Sequence, residues 1–203
     1  MHSRISTLLL AAMACLTQQS AKAEGDGRCP IETAINQLPQ IQYRVGSEVT
    51  VCRKEAAELS EKKGTPIRFV VKQGFESETA AIESLAEATE LFVTQFATPQ
   101  TCAVSGKITV GGASTQCSKS AAETARLINE AINAVKVSYQ VGETKCDCPE
   151  ESKKLAAALD QPVIYVVNGQ KTTCPHRQRL NTARAKYRAA VEAVAKAESA
   201  TVR

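Results

Sequence analysis

The chain is 203 residues long and 43% hydrophobic, and it carries 25 Lys and Arg against 21 Asp and Glu, a net charge of +4. That length can bury a real core in one or two domains. So small a net charge gives no electrostatic reason to invoke a nucleic-acid partner.

Residues 1–23 read as a signal peptide. Arg4 precedes an apolar run from Leu8 to Leu16, and Ala21-Lys22-Ala23 forms a small-x-small cleavage site. The expectation is a periplasmic or secreted protein whose mature chain carries 23 basic and 21 acidic residues, Arg4 and Lys22 having left with the leader. No later stretch approaches the roughly 18 apolar residues of a membrane span. Seven cysteines remain: Cys29, Cys52, Cys102, Cys117, Cys146, Cys148 and Cys174, with His176 as the one remaining histidine.

The mature chain opens with a polar segment, then Cys29-Pro30 and a short helix to about Leu38. Ile41 to Val45 alternates as a strand, Gly46-Ser47 turns, and Val49 to Val51 returns, which predicts a hairpin. Cys52 ends that hairpin and a helix over Arg53–Lys62 follows, stopped by Gly64. A strand is expected over Ile67–Val71. The next helix, Glu78 to Ala97, places Ile82, Leu85, Thr89, Phe92, Val93 and Phe96 on one face at helical spacing. The least regular segment, Thr98 to Gly112, reads as a boundary, with a short strand at Ile108–Val110. A third helix is predicted from a capping box at Ser120 and Glu123, with Ala121, Ala125, Ile128, Ile132 and Val135 facing inward. Asn168-Gly169 is a strong hairpin-turn signal. The final helix runs from Pro175 to about Lys196 with Leu180, Ala183, Tyr187, Val191 and Val194 on one side. Its basic residues, Arg177, Arg179, Arg184, Lys186 and Arg188, read as a solvated face.

Residues 139–167 repeat residues 43–71 with no gap. Tyr43, Val45, Gly46, Cys52, Glu55, Leu59, Pro66, Val70 and Val71 recur identically 96 positions later. The expected fold is α+β, built of duplicated tandem ββα units, short hairpins packed on amphipathic helices, in two pseudo-symmetric halves, 24–97 and 98–203. About six such units are expected. Cys29, Cys52, Cys117, Cys148 and Cys174 fall at helix starts, with Thr79 in that place in the unit lacking Cys.

A thiol at a helix N-terminus faces free backbone N–H groups and the positive end of the dipole, which favours thiolate. Cys146-Asp147-Cys148 puts two thiols on one side of a strand end, a pairing suited to Cu(I) or zinc. Candidate metal ligands are Cys102, Cys117, Cys146, Cys148, Cys174 and His176. In an exported chain the same thiols could pair instead as disulfides, with Cys29, Cys52, Cys117 and Cys148 as candidates. Seven is odd, so at least one thiol is left over.

Thr101-Cys102-Ala103-Val104-Ser105-Gly106-Lys107 resembles the C-P-V-S-G-K opening of YHS-type domains, ββα modules related to the heavy-metal-associated TRASH group, with Ala103 in place of the Pro. The pattern of an aromatic, a Val two residues on, a Gly turn and a Cys at a helix start, seen from Tyr43 to Cys52, from Tyr139 to Cys148 and from Tyr165 to Cys174, resembles their hairpin leading into a helix. The resemblance implies metal binding through hairpin and helix cysteines.

Catalysis is not expected. Cys174 and His176, two apart at a helix start, should diverge, and no C-x-x-C, Gly-rich phosphate loop, G-x-S-x-G or H-E-x-x-H occurs. Two readings stand: a non-catalytic protein holding copper or zinc, or a disulfide-stapled scaffold that meets a protein partner.

Overall fold

The structure, a computed structural model, describes residues 38–71 and 74–201. The expected signal peptide, Cys29 and the expected first short helix lie outside the described residues. Among the described residues five helices and three small antiparallel sheets make up a mixed α+β architecture.

The chain proceeds hairpin by hairpin. Strands β1 (Gln42–Val45) and β2 (Glu48–Thr50) lead into helix α1 (Arg53–Lys63). Strands β3 (Ile67–Val70) and β4 (Gly74–Phe75) lead into α2 (Glu78–Ala97). The segment read as irregular holds β5 (Gln100–Thr101) and β6 (Ile108–Val110), which pairs with β7 (Ala113–Thr115) ahead of α3 (Ser118–Ala134). Strands β8 (Ser138–Val141) and β9 (Thr144–Cys146) lead into α4 (Pro149–Leu159), and β10 (Ile164–Val167) and β11 (Gln170–Thr172) into α5 (Pro175–Thr201). In the last hairpin Asn168 and Gly169 both take positive φ, 46° and 79°, as a two-residue turn matched to the strand twist requires.

The two four-stranded sheets share one order, β2-β1-β3-β4 and β9-β8-β10-β11. Their registers correspond. Tyr43 lies across from Thr50 on one side and Phe69 on the other, and Tyr139 across from Cys146 and Tyr165. Each sheet carries an edge-to-face aromatic pair, Tyr43–Phe69 and Tyr139–Tyr165, with ring centroids 5.8 Å apart in both. The third sheet has three strands, β5-β6-β7.

Alternation decides which strand face is buried. In β1, Tyr43 and Val45 point inward and Gln42 and Arg44 outward, and Tyr43 and Val45 close on Ala56 of α1 with Leu59, Ile67 and Phe69 around them. The largest shared core runs along α2 and α5. Tyr187, 1% exposed, takes Phe92 and Phe96 edge-on, each 5.2 Å between centroids. Leu85, Ile82 and Ala86 of α2 meet Leu180 of α5. Ala97, Val110, Ala121, Ile128, Ala190 and Val194 draw α2, β6, α3 and α5 into another cluster. Ile108, Val110 and Gly111 are therefore packed into a core common to both sequence halves, while residues 98–107 stay exposed. Gly111 makes this possible: at φ +62°, it sits where a Cβ would come within 2.6 Å of Val194 and 2.7 Å of Ile128, and its N–H reaches the Phe96 carbonyl at 2.8 Å.

Helix α3 begins earlier than its capping box predicts. The hairpin delivers Cys117 as N-cap, its carbonyl accepting from Ala121 N–H at 3.0 Å, so Ser120 lies within the first turn. Glu123 pairs with Arg126 at 2.7 Å instead of reaching back to a cap. Val135, expected on the apolar face, is the C-cap. Among the described residues no helix is long and apolar enough to cross a membrane.

Candidate functional site

Every described helix starts from the same junction. The strand ends, one residue bridges, and a small residue with a polar β-substituent becomes the last residue before the helix: Cys52, Ser77, Cys117, Cys148 and Cys174. Their carbonyls accept the first helical bond from Ala56, Ala81, Ala121, Ser152 and Gln178, all at 3.0–3.1 Å. The residue two before the cap is Thr in three cases. Thr50, Thr115 and Thr172 each accept, through Oγ1, the backbone N–H of Cys52, Cys117 and Cys174 at 3.0, 3.0 and 3.1 Å. This side-chain bond holds the chain as it turns from strand to helix. In the unit without Cys, the β3–β4 register puts Ser77, not Thr79, at the junction, because Phe75 pairs with Phe69 as Thr172 does with Tyr165.

The expectation that these thiols face the first-turn amides is corrected. Cys52, Cys117 and Cys148 occupy N-cap positions with extended φ yet make no side-chain cap bond, whereas Ser77 accepts from Ala80 N–H at 3.5 Å. Sulfur is a weak acceptor, and the thiols of Cys52, Cys117 and Cys148 are exposed.

Two cysteines do have displaced pKa values. The Cys102 thiol is lowered to about 7, first by the Ser105 hydroxyl and then by the Ser105 and Val104 amides. It sits in an exposed loop closed by Cys102 N–H to the Lys107 carbonyl at 2.8 Å and Gly106 N–H to the Cys102 carbonyl at 2.9 Å. Cys146 moves the other way: desolvation raises its pKa, helped by the negative charges of Glu151, Asp147 and Cys148. The activated thiol thus lies in a loop, away from the helix starts.

The strand orders disperse the six candidate ligands. Cys146 ends β9 and Cys174 follows β11, at opposite edges of one sheet, about three strand spacings or ~14 Å apart. Cys102 follows β5 and Cys117 follows β7, about two spacings or ~10 Å apart across the three-stranded sheet. His176 turns to α2, its Nδ1 2.8 Å from Glu83 Oε1, a partner that the sequence pattern did not signal. Among the described residues no three His, Cys, Asp or Glu side chains gather as a metal would require. Cys52, Cys102, Cys117, Cys146, Cys148 and Cys174 are all free thiols, so the disulfide candidates Cys52, Cys117 and Cys148 stand unpaired, and Cys29 lies outside the described residues.

One pair stays together. Cys146 occupies in its hairpin the register position of Thr50, Thr115 and Thr172 in theirs, two residues before Cys148 and near enough for Cys148 to contribute to its raised pKa. Glu151 and Asp147 add negative charge around Cys146, while Glu150 pairs with Lys153 at 2.9 Å. Thiols at one sheet corner, in an acidic setting, favour a soft cation over an anion. The chain matches no family model, no curated protein and no solved structure.

Proposed function

We propose that this is an exported, non-catalytic binding protein that holds one soft metal ion, Cu(I), between Cys146 and Cys148. The observation that carries this reading is the substitution of Cys146 for Thr at the strand-to-helix junction, which makes that one corner of the five a vicinal dithiol. Two thiolates suffice for Cu(I), a soft ion. Zinc in structural sites takes four ligands, and four do not gather here among the described residues, which favours copper of the two. Glu151 and Asp147 favour the bound cation, and until it arrives desolvation first, then these two carboxylates, hold the Cys146 proton on. Metal uptake therefore displaces protons and strengthens as pH rises.

The same reading includes descent from a duplicated module. Equal strand order, equal register and the 96-residue sequence repeat support it. So does the contact of Phe92 with Tyr187 and the shared cluster of Leu85 and Leu180, pairs that correspond in sequence 95 positions apart and so would lie near an internal two-fold axis. The resemblance of the Cys102 loop and the hairpin pattern to YHS-type modules points to the same metal chemistry.

Elemental analysis of protein purified from its exported compartment, with a free-thiol count on the same sample, tests the reading. About one copper per chain is expected, lost in Cys146→Ser and in Cys148→Ser and retained in Cys117→Ser. Metal-free protein with six of its seven mature cysteines oxidised would establish the stapled scaffold in its place.

A further inference from the structure

The basic residues of α5 do not form one solvated face. Arg179 reaches α2, where Glu90 takes its Nε and Nη2 at 2.9 and 2.6 Å. Arg177, Arg184 and Arg188, spaced seven and four apart and so on one side of the helix, turn to a cleft of about 590 Å³. The opposite walls come from Tyr43 of β1, the start of α2 and the β10–β11 turn with Lys171. The cleft floor is apolar: Ile82, Leu85 and Leu180 are 5%, 1% and 6% exposed.

The charges around this cleft do not balance. Four cations line it, Lys171, Arg177, Arg184 and Arg188, against one carboxylate, Glu78. Glu78 is already doubly engaged, with Arg177 Nη2 at 2.7 Å and Arg53 Nη2 at 3.0 Å. Among the described residues Lys171 donates to a neutral oxygen, Gln140 Oε1, at 3.0 Å, and has no carboxylate partner. Arg188 has a loose contact with Glu192 at 3.6 Å. Arg184 has no carboxylate partner among the described residues. Although Arg184 keeps a solvent-facing surface, the cleft walls desolvate its guanidinium and push its pKa down. A cation held in a concave, partly dry place without a counter-charge favours an arriving anion.

We propose that this cleft is a binding site for a small organic anion, with a carboxylate or phosphate head on Arg184 and Arg188 and an apolar body along the floor. Its volume lies in the range of small-molecule sites, apolar with a few placed polar groups. Arginine's planar fork suits both head groups, which accept two parallel N–H bonds. The site lies on residues other than the thiols and stands independently of the copper reading.

Calorimetric titration of the full mature chain with decanoate, phenyl phosphate and decanol tests it. Decanoate or phenyl phosphate should bind one saturable site at least about tenfold more tightly than decanol, the preference expected when the charged head carries the recognition. Arg184→Gln should weaken that anion by about tenfold or more, while Arg179→Gln, which alters the same helix outside the cleft, should leave it unchanged. Should Arg184→Gln fail to fold, Arg188→Gln and Lys171→Gln at the rim carry the same comparison, each expected to weaken binding about threefold. Equal affinity for decanol and decanoate with no binding of phenyl phosphate would overturn the proposal. So would undiminished anion binding in the folded cleft variants.

Discussion

The two four-stranded sheets share strand order and register and are unlike in chemistry. Both pair a central Tyr with an aromatic across the strand, bury a Val at the strand end and send the chain through a cysteine into an 11-residue helix. At the junction they part. In the first sheet the Thr50 hydroxyl donates to Glu55 and accepts from Cys52 N–H, so hydroxyl and carboxylate satisfy each other. In the second, Cys146 stands in place of the hydroxyl, and its pKa is raised by desolvation first and then by the charge of the corresponding Glu151. One helix packs Ala56 inward; the other buries the Ser152 hydroxyl, satisfied by the Pro149 carbonyl at 2.8 Å. The packing positions are interchangeable between sheets because they answer only to shape. The junction positions are half-buried or exposed and lie outside the core clusters, so they are free to differ in function.

The largest effect expected is on what joins the two sheets. Tyr187→Ala removes a fully buried ring that Phe92 and Phe96 both touch, and should cost about 3–5 kcal/mol. Urea unfolding followed by tyrosine fluorescence and by far-UV circular dichroism should show one transition shifted to lower urea in both signals. Separate transitions would mean that the sheets fold independently. Thr50→Cys carries the difference between junctions into the first sheet. With Cys52 it recreates the pair, so under the proposed copper site the copper content should rise from about one to about two per chain; an unchanged content would show that the acidic setting, not the pair, selects the metal.

Thiol reactivity separates the cysteines by pH. With its pKa near 7, Cys102 loses its proton well below the ordinary thiol range. Its alkylation rate should climb through neutrality and level off above it, and that phase should vanish in Cys102→Ser. Cys146, its pKa raised, should respond only at higher pH. The smallest effect concerns the helix ends. Gly64 and Asp160 close the two short helices in the same left-handed conformation, φ 61° and 50°. Asp160→Gly should stabilise the chain by about 0.5 kcal/mol and Gly64→Asp should destabilise it by a similar amount, read as opposite shifts of the thermal midpoint.

Much of this fold can be read without coordinates. Hairpins and helices follow from local rules: alternation in β1, the 3.6-residue stripe of α2, Asn168-Gly169 in its turn, Pro149 and Pro175 at the first helical position. The junction cysteines are equally local, since a strand that ends two residues before a helix leaves one place for a cap. Even so, Cys117 overrode the Ser120 capping box, because the hairpin set where α3 began.

What local pattern could not reach was anything that depends on which strands lie side by side. Cys146 and Cys174 look like neighbours in a cysteine-rich half, and the order β9-β8-β10-β11 sends them to opposite edges. The five cations of the last helix look alike along the chain; α2 takes Arg179, and the cleft takes Arg177, Arg184 and Arg188. Spacing along one element determines which side chains share a face, since backbone geometry sets it residue by residue. Proximity between elements is decided by how buried faces from distant segments close on one another, and here that closure runs through Tyr187, whose partners lie about ninety residues earlier.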